Sequence, residues 1–418
     1  MGVADCATVT ARVDQARYVA AFLGARDHYQ SAVALAEAGK LQALVTDFYT
    51  PDPLARLAGR MPDRFRRKLR ARSHPELPSA RVKMARLGLS LSDPALGRAA
   101  AEVAGRTGSG ALVYSYYWPG FAEALAIENP GRRAAPYLVF QVHPVPTQAR
   151  AILAEDRERS GVAAELDQEE LLTASDVERF QEALARADGV IAPSGFVARG
   201  LTDLGASPSS VEVVPYGVAT PAGGSPIGSP RRAVANAGAG PLRLLWVGQL
   251  AYRKAPHVLF AALRLLPSHA VTLTMVCRGR ADPVLRALAP DNVSFLDPVE
   301  PDRLAHLYRS HDAFVMPSLV EGFGLVYLEA MGHGLPVIAT PNTGIADLID
   351  DGVQGRLVAP GDVASCASAI EALLSEPARL PEMSAAAART ASEYTWERFR
   401  RRLLGAVLRF EAERPGVR

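Results

Sequence analysis

The sequence predicts an α/β protein built from two doubly wound domains. Three observations carry that expectation. Two separate series of short apolar runs alternate with segments of helical period. A segment rich in Gly, Pro, Ser and Ala at 219–241, without any periodicity, lies between them. The chain of 418 residues is too long for one ordinary core.

In the first series, 18–23 is a short apolar strand broken by Gly24, 30–38 has helical period and stops at Gly39, and 41–48 is the next strand. Further strands follow at 111–118, 137–141, 189–194 and 211–218, with a long charged helical stretch between His143 and Asp188. In the second series the strands are 242–248, 270–277, 292–297, 312–318, 335–340 and 355–360. Helices fit between them at 256–266, where Pro256 suits a first helical position, at 301–309, and after Asp362, a good N-cap. The expected organisation is a first domain over 1–218, a linker over 219–241 and a second domain over 242–395. A terminal helix over 396–418 is expected to pack back toward the first domain.

Hydrophobic residues at 49% and charged residues at 22% provide ample core material for a globular class. A formal charge of +2 gives no global steering toward nucleic acid, so none is expected as a partner. Cys6, Cys277 and Cys366 have neither metal-ligand spacing nor the count of a disulfide framework, which fits a reducing, cytoplasmic setting. No stretch of about 20 apolar residues appears and the N-terminus lacks the basic-then-apolar pattern of a secretory leader. The stretch 54–91 carries Arg and Lys interleaved with Leu, Phe and Met. The favoured reading is a solvated helical excursion whose arginine stems cover apolar surface. The alternative is a surface that contacts anionic lipid headgroups, placing the protein peripherally on the cytoplasmic membrane face, or a phosphorylated acceptor.

Two segments carry chemistry. In 317–344 a strand ends near Ser318, a loop follows with Glu321, Gly322, Phe323 and Gly324, and Leu325 opens a helix that stops at Gly332 or Gly334. A glycine-bearing turn into a helix presents unpaired N–H groups at the positive end of the dipole, an anion site that phosphate commonly fills. Glu321 and Glu329 are eight residues apart, about 12 Å if the whole interval were helical. That spacing suits an elongated ligand with a diphosphate in its middle and hydroxyls at both ends. Either glutamate alone would read as an ordinary turn or helix residue. In the other segment, 244–263, a strand ends at Gly248 and the following loop holds Arg253 and Lys254, two adjacent cations able to neutralise a diphosphate. Lys254 is the only lysine in the second half of the chain.

These segments resemble the retaining glycosyltransferases of family 4, which have the GT-B fold: two Rossmann-like domains facing each other across a donor-binding cleft. The family's paired glutamates in an EGFGL context match Glu321 to Leu325 and Glu329, and its strand–Gly loop ending in Arg-Lys matches Gly248 to Lys254. The likeness runs over about 242–397, including the PNTG turn at 341–344 and LVAPGD at 357–362, and is weaker in the first half. It implies that Glu321 contacts donor-sugar hydroxyls and that Gly322, Phe323, Gly324 and Leu325 offer backbone amides to sugar and diphosphate. Arg253 and Lys254 would hold the diphosphate and Glu329 the ribose hydroxyls. His143 would reach the sugar near its reacting carbon, although a turn histidine before Pro144 is an equal reading of that residue. Gly24 would let backbone approach donor or acceptor.

Some positions depart from the family. Gln249 stands where arginine is usual, Asp297 where glycine is usual, and Arg278 and Arg280 where a neutral turn would face the base. Arg280 is therefore counted with the donor-binding residues, and the base stays open. With no Asp-x-Asp motif beside a strand end, no metal or other cofactor is expected; the nucleotide sugar is a substrate, and the acceptor is a hydroxyl of unidentified chemistry. The resemblance implies transfer with retention of configuration. A catalytically silent nucleotide-sugar-binding partner subunit and a sugar-nucleotide epimerase of similar architecture are the rival readings.

Overall fold

The computed structural model describes residues 16–22, 27–47, 49, 74–84, 93–128, 135–219, 240–279 and 281–413. Gly24, Arg280 and all of 54–91 outside 74–84 lie outside the described residues.

Among the described residues the first sheet has seven strands: β1 (Tyr18–Ala21), β2 (Leu41–Thr46), β3 (Val82–Met84), β4 (Gly110–Tyr114), β5 (Tyr137–Phe140), β6 (Gly189–Ala192) and β7 (Val211–Val213), in the order β3-β2-β1-β4-β5-β6-β7. Every pairing is parallel. Strands such as YVAA and YLVF are buried at every position, as a sheet covered on both faces requires. The helices are α1 (Gln30–Glu37), α2 (Asp93–Thr107), α3 (Trp118–Glu128), α4 (Pro146–Ser160), α5 (Gln168–Leu171), α6 (Ala174–Leu184) and α7 (Gly195–Asp203).

The second sheet is also parallel, with β8 (Leu242–Gly248), β9 (Val271–Cys277), β10 (Val293–Leu296), β11 (Ala313–Val315), β12 (Val337–Ala339) and β13 (Gly355–Leu357) in the order β10-β9-β8-β11-β12-β13. Its helices are α8 (Pro256–Arg264), α9 (Pro283–Ala287), α10 (Pro301–Ser310), α11 (Leu325–Gly332), α12 (Val363–Ser375) and α13 (Leu380–Glu393). The last helix, α14 (Trp396–Ala412), packs on the first domain. There its buried Glu411 accepts from the Tyr18 hydroxyl at 2.8 Å and pairs with Lys40 at 3.1 Å.

Three expectations need correction. The first sheet has a strand more than the sequence pattern implies, because part of the basic stretch is not helical: Ser79–Arg81 is one 3-10 turn and β3 extends the sheet beyond β2. The run 111–118 is not one strand. It ends at Tyr114, and after a 3-10 turn Trp118 begins α3, with Pro119 in the first helical turn. A continuous apolar run has no period and so cannot separate buried strand from buried helix. The run 211–218 likewise pairs in the sheet only as far as Val213.

Candidate active site

In each sheet the strand order reverses at one place, between β1 and β4 in the first and between β8 and β11 in the second. Loops leaving adjacent strands there diverge to opposite faces and open a crevice at the strand carboxyl ends. The loops after β8 and β11 are tied together by backbone, the Leu319 N–H donating to the Arg253 carbonyl at 2.8 Å. The sequence places Arg253 and Lys254 on the first loop and Glu321 on the second, so the topology brings all three side chains together.

Glu321 Oε2 accepts from Lys254 Nζ at 2.6 Å and from Arg253 Nη1 at 2.8 Å. All three are largely enclosed, at 12, 9 and 18% side-chain exposure for Glu321, Lys254 and Arg253, so their attraction is little screened. Burial pushes the Glu321 carboxyl up, but the Arg253 and Lys254 charges outweigh it and hold the group well below the usual carboxylate range. Burial also pulls the Lys254 ammonium below the usual lysine range, with Glu321 opposing. Gly248 ends β8, and a Cβ there would stand 3.4 Å from the Lys254 side chain.

The loop carrying Glu321 is braced by the 340–344 turn. The Glu321 N–H donates to the Asn342 carbonyl at 3.0 Å, Asn342 Nδ2 to the Leu319 carbonyl at 2.9 Å, and the Thr340 hydroxyl to the Ser318 carbonyl at 2.6 Å. Gly324 has φ 85°, a left-handed conformation that glycine adopts without strain, and caps α11 with no side-chain hydrogen bond. The first N–H groups of α11, beginning at Leu325, are therefore left to other partners. Phe323 points inward, 2% exposed, its ring meeting Tyr216 edge-on at 5.5 Å, so only its backbone can serve a ligand.

Glu329 lies further along α11 in different company. Its Oε2 accepts from the Tyr308 hydroxyl at 3.2 Å, and the Tyr308 ring stacks on His333 at 5.2 Å. Burial raises its pKa, opposed by the charge of Arg278, the Tyr308 hydrogen bond and the charge of His28. His28 belongs to the first domain, where it has φ 52° and Tyr29 has φ 63°, two consecutive left-handed residues at the start of α1. Gln249, Arg278 and Asp297 are exposed.

The two domains meet through the carboxyl ends of their strands. A Cβ on Gly322 would stand 2.2 Å from the Val142 carbonyl oxygen and 3.2 Å from the His143 Cα, so only glycine fits. Ser194 Oγ donates to the Gly322 carbonyl at 2.7 Å, and the Gly195 N–H to Asp347 at 2.6 Å. His143 is thus placed against the Glu321 loop, its ring 4.7 Å from that of Tyr116. The chain from α4 to α5 also reaches across. Asp167 accepts from the Arg253 N–H at 2.6 Å, and buried Asp156 accepts from the Tyr252 hydroxyl at 2.7 Å and contacts His257 Nε2 at 2.8 Å. Sequence reasoning missed Asp156, Asp167, Ser194, Asp347, Tyr308 and His28. In sequence they look like solvated helix or turn residues, and only the topology shows what they touch.

Two parallel sheets joined at their strand carboxyl ends, with a cation–carboxylate cluster at the seam, define a two-domain GT-B protein. Residues 241–376 match the family model described as Glycosyl transferases group 1. The D-inositol 3-phosphate glycosyltransferase of Nocardia farcinica is 30% identical, over 73% of this chain and 69% of its own. Its counterpart in Rhodococcus erythropolis is 30% identical over 68% of this chain and 65% of its own. The chain belongs to the group 1 glycosyl transferases. Sucrose-phosphate synthase from Thermosynechococcus elongatus shares the fold, with a TM-score of 0.66 at 20% identity over 94% of this chain and 98% of that one. So does Anabaena Alr3699/HepE, solved with UDP-glucose, with a TM-score of 0.60 at 18% identity over 93% and 98%.

Proposed function

We propose that the protein moves a sugar from a nucleoside diphosphate donor to an acceptor hydroxyl, with retention of configuration and without a metal ion. The observation that carries this reading is the Arg253–Lys254–Glu321 cluster at the β8–β11 reversal, beside the side-chain-uncapped start of α11. Cations and a helix N-terminus fixed in advance meet negative charge as it develops on a departing diphosphate, the preorganised stabilisation that supplies much of catalytic power. In the reaction the bond from the anomeric carbon to the diphosphate oxygen breaks and a bond to the acceptor oxygen forms. The acceptor proton passes to the departing phosphate oxygen on the same face of the sugar. Gly322, Gly324 and Leu325 offer backbone to the donor, Glu321 accepts from sugar hydroxyls, Glu329 from ribose hydroxyls, and His143 lies toward the reacting carbon. The Anabaena neighbour solved with UDP-glucose supports a donor of this class.

Cys277 and Cys366 are buried free thiols, which suits a cytoplasmic setting. No helix among the described residues is long and apolar enough to cross a membrane. The cations of 54–91 are where peripheral contact with anionic lipid headgroups would be tested.

The test is a thermal-shift panel of UDP, GDP, ADP and TDP sugars, because a ligand that binds only the native state raises its apparent stability. The stabilising donor is then followed to product in wild type and Lys254→Ala. The expected result is one stabilising nucleotide class and a fall in kcat/KM of roughly 10²–10³-fold in the variant. An unchanged kcat/KM overturns the leaving-group role. Sugar conversion without acceptor marks an epimerase, and binding without turnover marks a silent partner.

A further inference from the structure

The 3-10 turn Tyr252–Lys254, which presents both cations of the site, is held partly from the first domain. Such a turn closes by bonds three residues apart. Here the Lys254 N–H donates to the Ala251 carbonyl at 3.1 Å and the Ala255 N–H to the Tyr252 carbonyl at 2.8 Å. The turn ends on Ala255, which has φ 50°. A left-handed backbone is costly for a residue with a Cβ and persists where the surroundings over-determine it.

Those surroundings come from both domains. The Arg253 carbonyl accepts from the Leu319 N–H of the Glu321 loop at 2.8 Å, within the second domain. The N–H of the same residue donates to Asp167 Oδ2, from the first domain, at 2.6 Å. The Tyr252 hydroxyl donates to Asp156 at 2.7 Å, and Ser160 Oγ lies 2.8 Å from it. The Arg157 guanidinium stands over the Tyr252 ring, 3.9 Å from its centre. Arg157 also pairs with Glu170 at 2.5 Å, and Glu170 Oε2 accepts from the Asp167 N–H at 2.8 Å. A closed circuit thus runs from the Tyr252 ring through Arg157, Glu170 and Asp167 to the Arg253 N–H.

The strap that carries this circuit, 156–170, is shaped by polar contacts rather than by a core. Gly161 ends α4 with φ 65°. Ala164 is the one fully buried side chain among the described residues 161–167, and Leu166 is 53% exposed. Arg157 donates to the Ala164 and Glu165 carbonyls at 3.1 and 2.9 Å, so the strap folds round the same guanidinium that rests on Tyr252. The Glu165 N–H reaches the second domain as well, donating to Asp282 Oδ2 at 2.6 Å. A segment with few apolar contacts opens locally at low cost, and each bond it makes here ties it to the turn beneath.

We infer that this strap belongs to the donor site: Asp167, by holding the Arg253 N–H, is a positioning residue that aims Arg253 and Lys254 at the departing diphosphate. This rests on the glycosyltransferase reading. It adds that the first domain sets the geometry of the leaving-group cations carried by the second.

The test uses the full chain and the nucleotide identified by thermal shift, in wild type, Asp167→Ala and Asp167→Asn. Donor turnover is measured with two competitive inhibitors, the nucleoside diphosphate and the bare nucleoside, which carries no phosphate and reports on the Glu329 end alone. Asp167→Ala should raise the inhibition constant of the diphosphate roughly fivefold or more, the scale of one lost hydrogen bond. Its kcat should fall roughly tenfold or more, as misplaced catalytic groups imply, while the nucleoside constant stays within about twofold. Asp167→Asn keeps a side-chain oxygen that accepts from the Arg253 N–H and should return both values to within about threefold of wild type. Nucleoside and diphosphate weakened alike, an alanine variant equal to wild type, or an asparagine variant as impaired as the alanine one each overturns the inference. Should the alanine variant not fold, Glu170→Gln, one bond further back, carries the same test. A rise in its diphosphate constant of roughly twofold or more is then expected, and an unmoved constant overturns the inference. A wild type that no nucleotide sugar stabilises fails one step earlier, at the glycosyltransferase reading.

Discussion

At the Glu321 end of the site, two cations close on one carboxylate within 2.8 Å. At the Glu329 end, a carboxylate is turned into the protein with a phenol hydroxyl at 3.2 Å, and Arg278 acts on it only through its charge. The two glutamates are eight positions apart and play matching parts in the donor grip proposed here, yet their surroundings push their acidities in opposite directions. The first is held by the fold. The second is held against a desolvation penalty, as expected of a carboxylate kept for a ligand rather than for stability. The two ends of one binding site can thus differ in whether their functional group supports the structure that displays it.

The largest expected effect is at the supported end. Glu321→Gln removes the carboxylate that Lys254 and Arg253 share, and breaking an enclosed pair by removing one partner costs about 3 kcal/mol or more. Glu321 has a folded pKa below its unfolded one, so its stabilisation is present above about pH 4.3 and is lost as pH falls toward the folded value. Denaturant unfolding should show the variant much weaker than wild type at pH 7, with the gap narrowing below pH 4. A gap that is constant with pH would mean that the ion pair is not its source.

Glu329→Gln should do the reverse. Its folded pKa lies above its unfolded one, so its favourable contribution is present below about pH 4.3 and is lost as pH rises through the folded value. At pH 7–8 a neutral side chain avoids that penalty, and Tm should rise by about 2 °C for ~1 kcal/mol. Donor KM should rise at least tenfold, since hydrogen bonds to a charged acceptor contribute about 1.5–3 kcal/mol. A variant that is both less stable and unimpaired in KM would erase the contrast between the two ends.

Much of the Glu321 end was legible in the sequence. Gly248, Arg253, Lys254, Glu321 and Gly324 all sit where a short apolar run meets a helix, and a doubly wound order brings such turns to one edge of the sheet. The mutual pairing of Arg253, Lys254 and Glu321 was not legible, because it depends on β8 and β11 being neighbours although 64 residues lie between Gly248 and Ala313. The Glu329 end was legible only as one glutamate. Tyr308 reaches it from α10 and His28 from the other domain, and neither position breaks the helical or turn pattern around it. Asp156 was hidden in the same way: within the charged run EDRER it reads as solvated, yet it is 2% exposed and sits on the domain seam.

The smallest effect belongs to the hydroxyl of Tyr308, and it tests whether the Glu329 end is tuned or merely buried. Tyr308→Phe keeps the ring that stacks on His333 and removes one hydrogen bond to Glu329 Oε2. That bond lowers the Glu329 pKa against burial, so its loss should move the carboxyl further up. The net value of one such bond is about 0.5–1.5 kcal/mol, which predicts a donor KM raised by roughly two- to tenfold with kcat unchanged. Because the carboxyl of the variant would then keep its proton to a higher pH than that of the wild type, the KM defect should shrink as pH rises across the working range of the enzyme. A defect that is flat across that range would show that Tyr308 positions the glutamate without tuning its charge, and a fall in kcat would show that it reaches beyond donor binding.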